Sequence, residues 1–208
     1  MLHHPLDHVL WACADIDSGN ETFEHATGVK PGNGGSHDGN GTRNTLVSLG
    51  VNCYFEIISI DPAQGTLGPR AKHISAITTP ALHAFGVSGN DLDAYFETAS
   101  ELGLSVSAPT SMQRVRKDGV LVRWRAIYIE DPTWGYMIPF LIDWMDSEHP
   151  WKTTPTGCSL VEFQALHPEA ERLRHIYEAL GVDVPVIRSN TAGFLCRLNT
   201  PKGEVLLT

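Results

Sequence analysis

Two residues carry ionisable chemistry from within apolar strand-like runs. His8 heads HVLWAC, where His8, Leu10 and Ala12 would share one face of an extended segment. Glu56 lies in the middle of CYFEII and would share a face with Tyr54 and Ile58. A bare carboxylate among apolar side chains is costly unless it is paired or bound to a cation. His8 is therefore either an ordinary strand-end residue or a ligand that needs partners. Glu56 either faces solvent at a sheet edge or meets such a partner. Between the two runs lies GGSHDGNGTRN, the most distinctive loop of the chain. Its glycines permit positive φ angles and close backbone approach. His37, Asp38, Asn40, Thr42 and Asn44 crowd several polar groups into that span. At the rim of a cavity such a loop can close over a ligand. His37 is then a candidate acid or base, because imidazole titrates near neutrality, and Asn44 is a candidate substrate contact. Alternatively, both side chains satisfy backbone groups of an irregular loop.

A second concentration of charge lies in GVLVRWRAIYIE. As a strand, it places Val122, Trp124 and Ala126 on one face and Arg123 and Arg125 on the other. Arg116 and Lys117 precede it and add positive charge. Guanidinium groups suit carboxylates and phosphates because they bind them in bidentate fashion. Arg123 and Arg125 either line a cavity and hold an anionic substrate group, or look outward and pair with surface acids. Trp11, Tyr54, Phe85, Trp124 and Phe140 are candidate cavity aromatics, with core packing as the alternative.

The elements that must position these residues repeat. Each of three segments starts with a strand (HVLWAC, LHAFGV, SLVEFQAL), continues with a helix and stops that helix at a glycine: Gly28, Gly103 or Gly181. The first helix is expected to start at Ser18, with Glu21 completing a capping box. Asn90 is the expected N-cap of the second, and Pro168 the first position of the third. Two strands joined by a hairpin follow each helix, and SVSAPTSM and VPVIRS are weaker strand candidates. The fold class is α+β, built from repeated β–α–β–β–β modules. Two modules, about residues 1–62 and 78–148, pair into a cupped mixed sheet around a central cavity, and residues 155–208 form a third, degenerate module. A single unit of this kind cannot bury its sheet face alone.

This arrangement resembles the vicinal oxygen chelate superfamily, and more narrowly the bacterial glyoxalase-like domain family. LDHVLWACADID, GGSHDGNGTRNTLVSLG, YFEII and PFLIDW carry the resemblance, in that order along the first 145 residues. The resemblance implies metal ligands on the first and last strands of a module, which here fall on His8 and Glu56. His83 in LHAFGV resembles the counterpart of His8. It stands eight residues before Asp91, whereas His8 stands seven before Asp15. Without a bulge, Ala84 takes the ligand position. By the same alignment Ile142 falls near the position of Glu56. The implied cofactor is a divalent cation (zinc, iron, manganese or nickel). The implied activity is a lyase or isomerase reaction on a small oxygenated metabolite, by chelation and proton transfer; that metabolite is anionic if Arg123 or Arg125 lines the cavity. The superfamily also includes metal-free proteins that sequester small molecules and ring-cleaving dioxygenases, so the fold does not fix the function.

The chain as a whole sets outer limits. Its 208 residues are 42% hydrophobic and 19% charged, which is ordinary for a globular protein with a proper core. A net charge of -9 argues against nucleic acid and anionic membrane partners, which need a basic footprint. The N-terminus lacks the pattern of a signal peptide. Four scattered cysteines, without a C-x-x-C pair, read as reduced core residues. A cytoplasmic protein is expected. Three modules in a fold that works in pairs suggest a homodimer.

Overall fold

The strand Leu6–Ala12 (β1) is buried along almost its whole length because it lies at the middle of an eight-stranded mixed sheet. The computed structural model describes residues 2–116 and 118–208. Lys117, assigned above to the basic patch, lies outside the described residues. On one side β1 pairs in parallel with β4 (Cys53–Ile60), and on the other it pairs antiparallel with β5 (Ala81–Ser88). The remaining strands are β2 (Gly32–His37), β3 (Thr42–Gly50), β6 (Thr110–Val115), β7 (Leu121–Ile127) and β8 (Phe140–Asp143). The sheet order is β2-β3-β4-β1-β5-β8-β7-β6. It curls until its two edges approach: a methyl group placed on Gly35 of β2 would lie 3.4 Å from the Arg114 guanidinium of β6. The result is a cup.

Period-two alternation decides what faces into it. Leu10, Ala12, Ile58, Ala84, Val122, Trp124, Phe140 and Ile142 pack on the inner face. Val9, Trp11, Phe55, Phe85 and Val87 pack on the outer face, beneath the helices. Trp11 and Phe85 are thus core residues, while Tyr54, Trp124 and Phe140 line the cavity. Helix α1 (Ile16–Thr27) covers the outer face, with Phe23 stacked on Phe55 at 5.0 Å between ring centroids. A short helix, α2 (Pro69–Ile74), follows β4, and α3 (Leu92–Glu101) follows β5.

A second sheet, in the order β10-β9-β11-β12, consists of β9 (Ser159–His167), β10 (Val186–Arg188), β11 (Gly193–Thr200) and β12 (Gly203–Leu207). With α4 (Ala170–Ala179) it packs on the outside of the cup, where Phe163 and Phe194 contact Phe85 at 5.2 and 5.6 Å between centroids. The whole is the α+β, cupped-sheet architecture expected from the repeat. Among the described residues no helix is long and apolar enough to cross a membrane. Cys13, Cys53, Cys158 and Cys196 are buried free thiols.

Several local expectations need correction. Helix α1 starts at Ile16, because the Asp15 carboxylate accepts the Ser18 backbone N–H at 2.9 Å and so places Ser18 inside the first turn. The residue before α3 is Asp91 in place of Asn90, and α4 begins at Ala170, two residues after Pro168. The three stop glycines do adopt left-handed φ, at 79°, 74° and 67°. The glycine-rich stretch is mostly a hairpin: β2 and β3 pair across a turn containing Gly39 and Gly41, both at positive φ. The strand after α3 begins at Thr110, later than SVSAPTSM suggested.

Candidate active site

His8, His37, Asn44, Glu56 and Phe140 all line one cavity inside the cup. Glu56 is the hub. It is 5% exposed, and its Oε1 accepts a hydrogen bond from Asn44 Nδ2 at 2.9 Å. Its Oε2 lies 3.4 Å from His8 Nε2, and His37 Nε2 lies 4.0 Å from Oε1. Asn44 Nδ2 also lies 3.1 Å from His37 Nε2, while His37 Nδ1 lies 2.8 Å from Thr42 Oγ1. One tautomer satisfies both contacts: Nδ1–H donates to Thr42, and the Nε2 lone pair accepts from Asn44. Burial holds the His37 imidazole below its usual range. The Glu56 carboxylate opposes that shift, while the Arg114 and Arg70 charges reinforce it. His37 is therefore neutral at pH 7. Its position on β2, opposite Thr42 and two residues from Asn44 along β3, follows from the hairpin register.

Behind this wall lies a fully buried carboxylate. Asp7 accepts from His8 Nδ1 at 2.6 Å, from Trp144 Nε1 at 3.0 Å and from His149 Nε2 at 3.0 Å. Burial pushes its pKa up, but the hydrogen bonds from His149 and His8 outweigh that and leave the carboxyl below its ordinary value. Asp7 thereby fixes the His8 ring, which also stacks on Tyr54 at 4.4 Å between centroids, so that Nε2 points at Glu56.

The second half of the cup does not mirror the first. Ala84 stands seven residues before the α3 capping position, as His8 does before that of α1. Leu10 pairs with Glu56, and its counterpart Gly86 pairs with Phe140. The positions equivalent to His8 and Glu56 are thus Ala84 and Phe140, and Ile142 lies further along β8. His83 is displaced by a β-bulge between β1 and β5 and does not line the cavity. It packs instead against Tyr136 and His73, at 4.2 and 5.0 Å between centroids. Its placement beside His8 and Glu56 is corrected accordingly. Arg123 and Arg125 also lie outside the cup, because the apolar face of β7 is the one turned inward. Arg123 is exposed, and Arg125 pairs with Asp143 at 2.7 Å.

Burial, with help from the Arg70 and His73 charges, pushes His83 down to about 3. The unfolded chain binds a proton at this residue below about pH 6.5, and the native state does not until about pH 3. Stability should therefore fall by about 1.4 kcal/mol for each pH unit below about 6.5 on account of this residue alone. Chemical denaturation between pH 7 and 4 should show a shallower acid slope for His83→Phe. An identical slope in the variant would contradict the assignment.

Residues 6–181 match the family model described as a glyoxalase-like domain. The chain belongs to the glyoxalase-like domain family. A hypothetical protein from Staphylococcus aureus shares the fold with a TM-score of 0.70 at 15% identity, over 92% of this chain and 88% of that one. A methylmalonyl-CoA epimerase in complex with methylmalonyl-CoA and NH4+ aligns with a TM-score of 0.50 at 17% identity, over 72% of this chain and 100% of that one. The methylmalonyl-CoA epimerase from Mycobacterium tuberculosis aligns over 66% of this chain and 86% of its own, at 21% identity and a TM-score of 0.47. At these identities the likeness concerns the fold. No curated protein sequence matches the chain significantly.

The divalent cation implied by this glyoxalase-like family does not fit the residues present. Among the described residues no group of three His, Cys, Asp or Glu side chains is placed to hold a metal. His8 and Glu56 remain as a pair, and Ala84 and Phe140 supply no donor across the cup. Asn44 fills the gap between Glu56 and His37 with an amide N–H donor.

Both arginines of the cavity in this glyoxalase-like chain went unnoticed in the sequence. Arg114 on β6 and Arg70 on α2 both line the cup. For Arg114 the signal lay in alternation: Met112 and Arg114 share a strand face, and Met112 is opposite the inward-facing Trp124. Arg70 had no local signal.

Proposed function

We propose that this glyoxalase-like chain is an enzyme that moves a proton on a small oxygenated metabolite held in the cup, as an isomerase or lyase. The observation that supports this reading is the placement of Glu56: a carboxylate almost removed from water, anchored at one oxygen by Asn44 and set in a cavity walled by aromatic side chains. A carboxylate held in one position beside a bound carbon acid can serve as a general base. Glu56 takes the proton from a carbon next to a carbonyl, and the electron pair moves onto the carbonyl oxygen. Return of the proton to the same or the neighbouring carbon completes an isomerisation. Loss of a leaving group from the enolate completes a lyase reaction. Neutral His37 is the second proton carrier, and His8, oriented by Asp7, closes the far side of Glu56. No step in this reading uses a cation.

The test is proton wash-out in D2O. NMR is used to follow 2-oxo acids and hydroxyketones incubated with the protein. Loss of the C–H signal next to the carbonyl, at a rate proportional to enzyme, is the expected result. A compound that binds tightly and shows no exchange would overturn the reading in favour of a protein that sequesters its ligand, a role that the aromatic wall of Trp124, Phe140 and Trp144 would also suit.

A further inference from the structure

We infer that Arg70 and Arg114 form an anion clamp that holds the carboxylate or phosphate of an organic acid with a flat apolar body, which deepens the reading of the same site given above. Both guanidinium groups line the cavity that holds Glu56. Among the described residues neither forms an ion pair within 4.0 Å or donates a hydrogen bond. Every other arginine on the cup's strands, and Arg116 just after β6, has a carboxylate within that distance or stands exposed on the outer surface: Arg43 is near Asp15, Arg116 near Asp118, Arg125 near Asp143, and Arg123 is exposed. The two cavity arginines are thus set apart by position and by lack of a partner.

Each is also held in place by groups that leave its donors free. Arg70 sits over the rings of Phe140, Tyr128 and Tyr136, at 5.0, 5.5 and 5.7 Å. Stacking on aromatic faces orients a guanidinium without consuming its N–H groups. Arg114 reaches across the closing seam of the sheet, where Gly35 leaves room for it. Burial holds Arg114 below its usual range even though the Glu56 charge favours it, and no carboxylate lies close enough to pair with this half-buried cation. Glu56 and Glu130 face the same cavity but stay beyond ion-pair distance of both. An incoming anion supplies the missing charge, and the aromatic wall of Tyr128, Trp124 and Phe140 receives the flat body. That geometry places one end of the ligand at the arginines and leaves its reacting carbon to the Glu56 side.

The experiment is isothermal titration of the intact protein with three probes: phenylpyruvate, phenyl phosphate and the methyl ester of phenylpyruvate. At least one anion should bind and the ester should not. Arg70→Gln and Arg114→Gln should each weaken the bound anion about ten- to hundredfold, the range expected for a lost charge-assisted contact. Arg114→Lys should recover part of that loss, and Arg123→Gln should change nothing. Circular dichroism melts confirm that each variant is folded. Equal binding of the ester, no binding of either anion, or full affinity in the folded Arg70→Gln/Arg114→Gln double variant would overturn the clamp. Glu56→Gln separates this inference from the proton-transfer reading: it removes a negative charge that faces the clamp, so anion affinity should be equal or higher, and a loss of affinity in the folded variant would overturn the clamp whether or not the wild type exchanges protons.

Discussion

Glu56→Gln is expected to slow proton wash-out by roughly a hundred- to ten-thousandfold while the protein stays folded. The amide keeps the volume of the carboxylate, and its oxygen still accepts from Asn44 Nδ2, which lies 2.9 Å from Oε1 in the wild type. What disappears is the basic lone pair. Asn44→Ala should have a smaller effect in the same direction, because Glu56 then keeps its charge and loses its anchor. The measurement is the exchange rate of a wash-out substrate at saturating concentration, alongside a thermal melt. A folded Glu56→Gln protein with wild-type exchange would remove Glu56 from the chemistry.

Asp7→Ala should be the most damaging single substitution for stability. The wild-type carboxylate is completely buried and receives three hydrogen bonds, from His8, Trp144 and His149. Its removal leaves three donors facing a void. Breaking a buried charged network in this way costs about 3–5 kcal/mol, which for a chain of this size lowers the melting temperature by roughly 6–20 °C. Asp7→Asn should fall between the two, since the amide oxygen still accepts while its NH2 group meets donors. Differential scanning calorimetry checks both, and a shift of under about 2 °C for Asp7→Ala would mean the network carries no net stability. His8 should also lose its fixed orientation in these variants.

What the sequence made legible was what depends on local pattern. Alternation in HVLWAC and CYFEII put His8 and Glu56 on strand faces shared with Leu10 and with Tyr54, and the fold turns both into the cup. The hairpin between them could not be recognised as paired strands, since three glycines in β2 hide its period, yet its polar residues still converge on Glu56. The misplaced residues depended on pairing. The count back from Asp91 already favoured Ala84 over His83, and the bulge between β1 and β5 sets His83 apart from the cavity. Alternation in β7 was read correctly, but whether the arginine face or the tryptophan face turns inward depends on how the sheet curls. Arg114 becomes visible only when β6 is set against β7. The Asp7–His149 contact joins residues 142 positions apart, from β1 to the segment between β8 and the third module, where no periodicity reaches.

The unlike halves of the cup have a stereochemical meaning. A cup with equivalent walls would accept a ligand in two orientations related by a half turn. With Glu56 on one wall and Phe140 at the matching place on the other, only one orientation brings a carbon to the base. Under the proposed reading, the proton then leaves one prochiral face only. Deuterium introduced in a wash-out experiment would carry a single configuration, and a half-turned ligand would sit in the cup as an inhibitor.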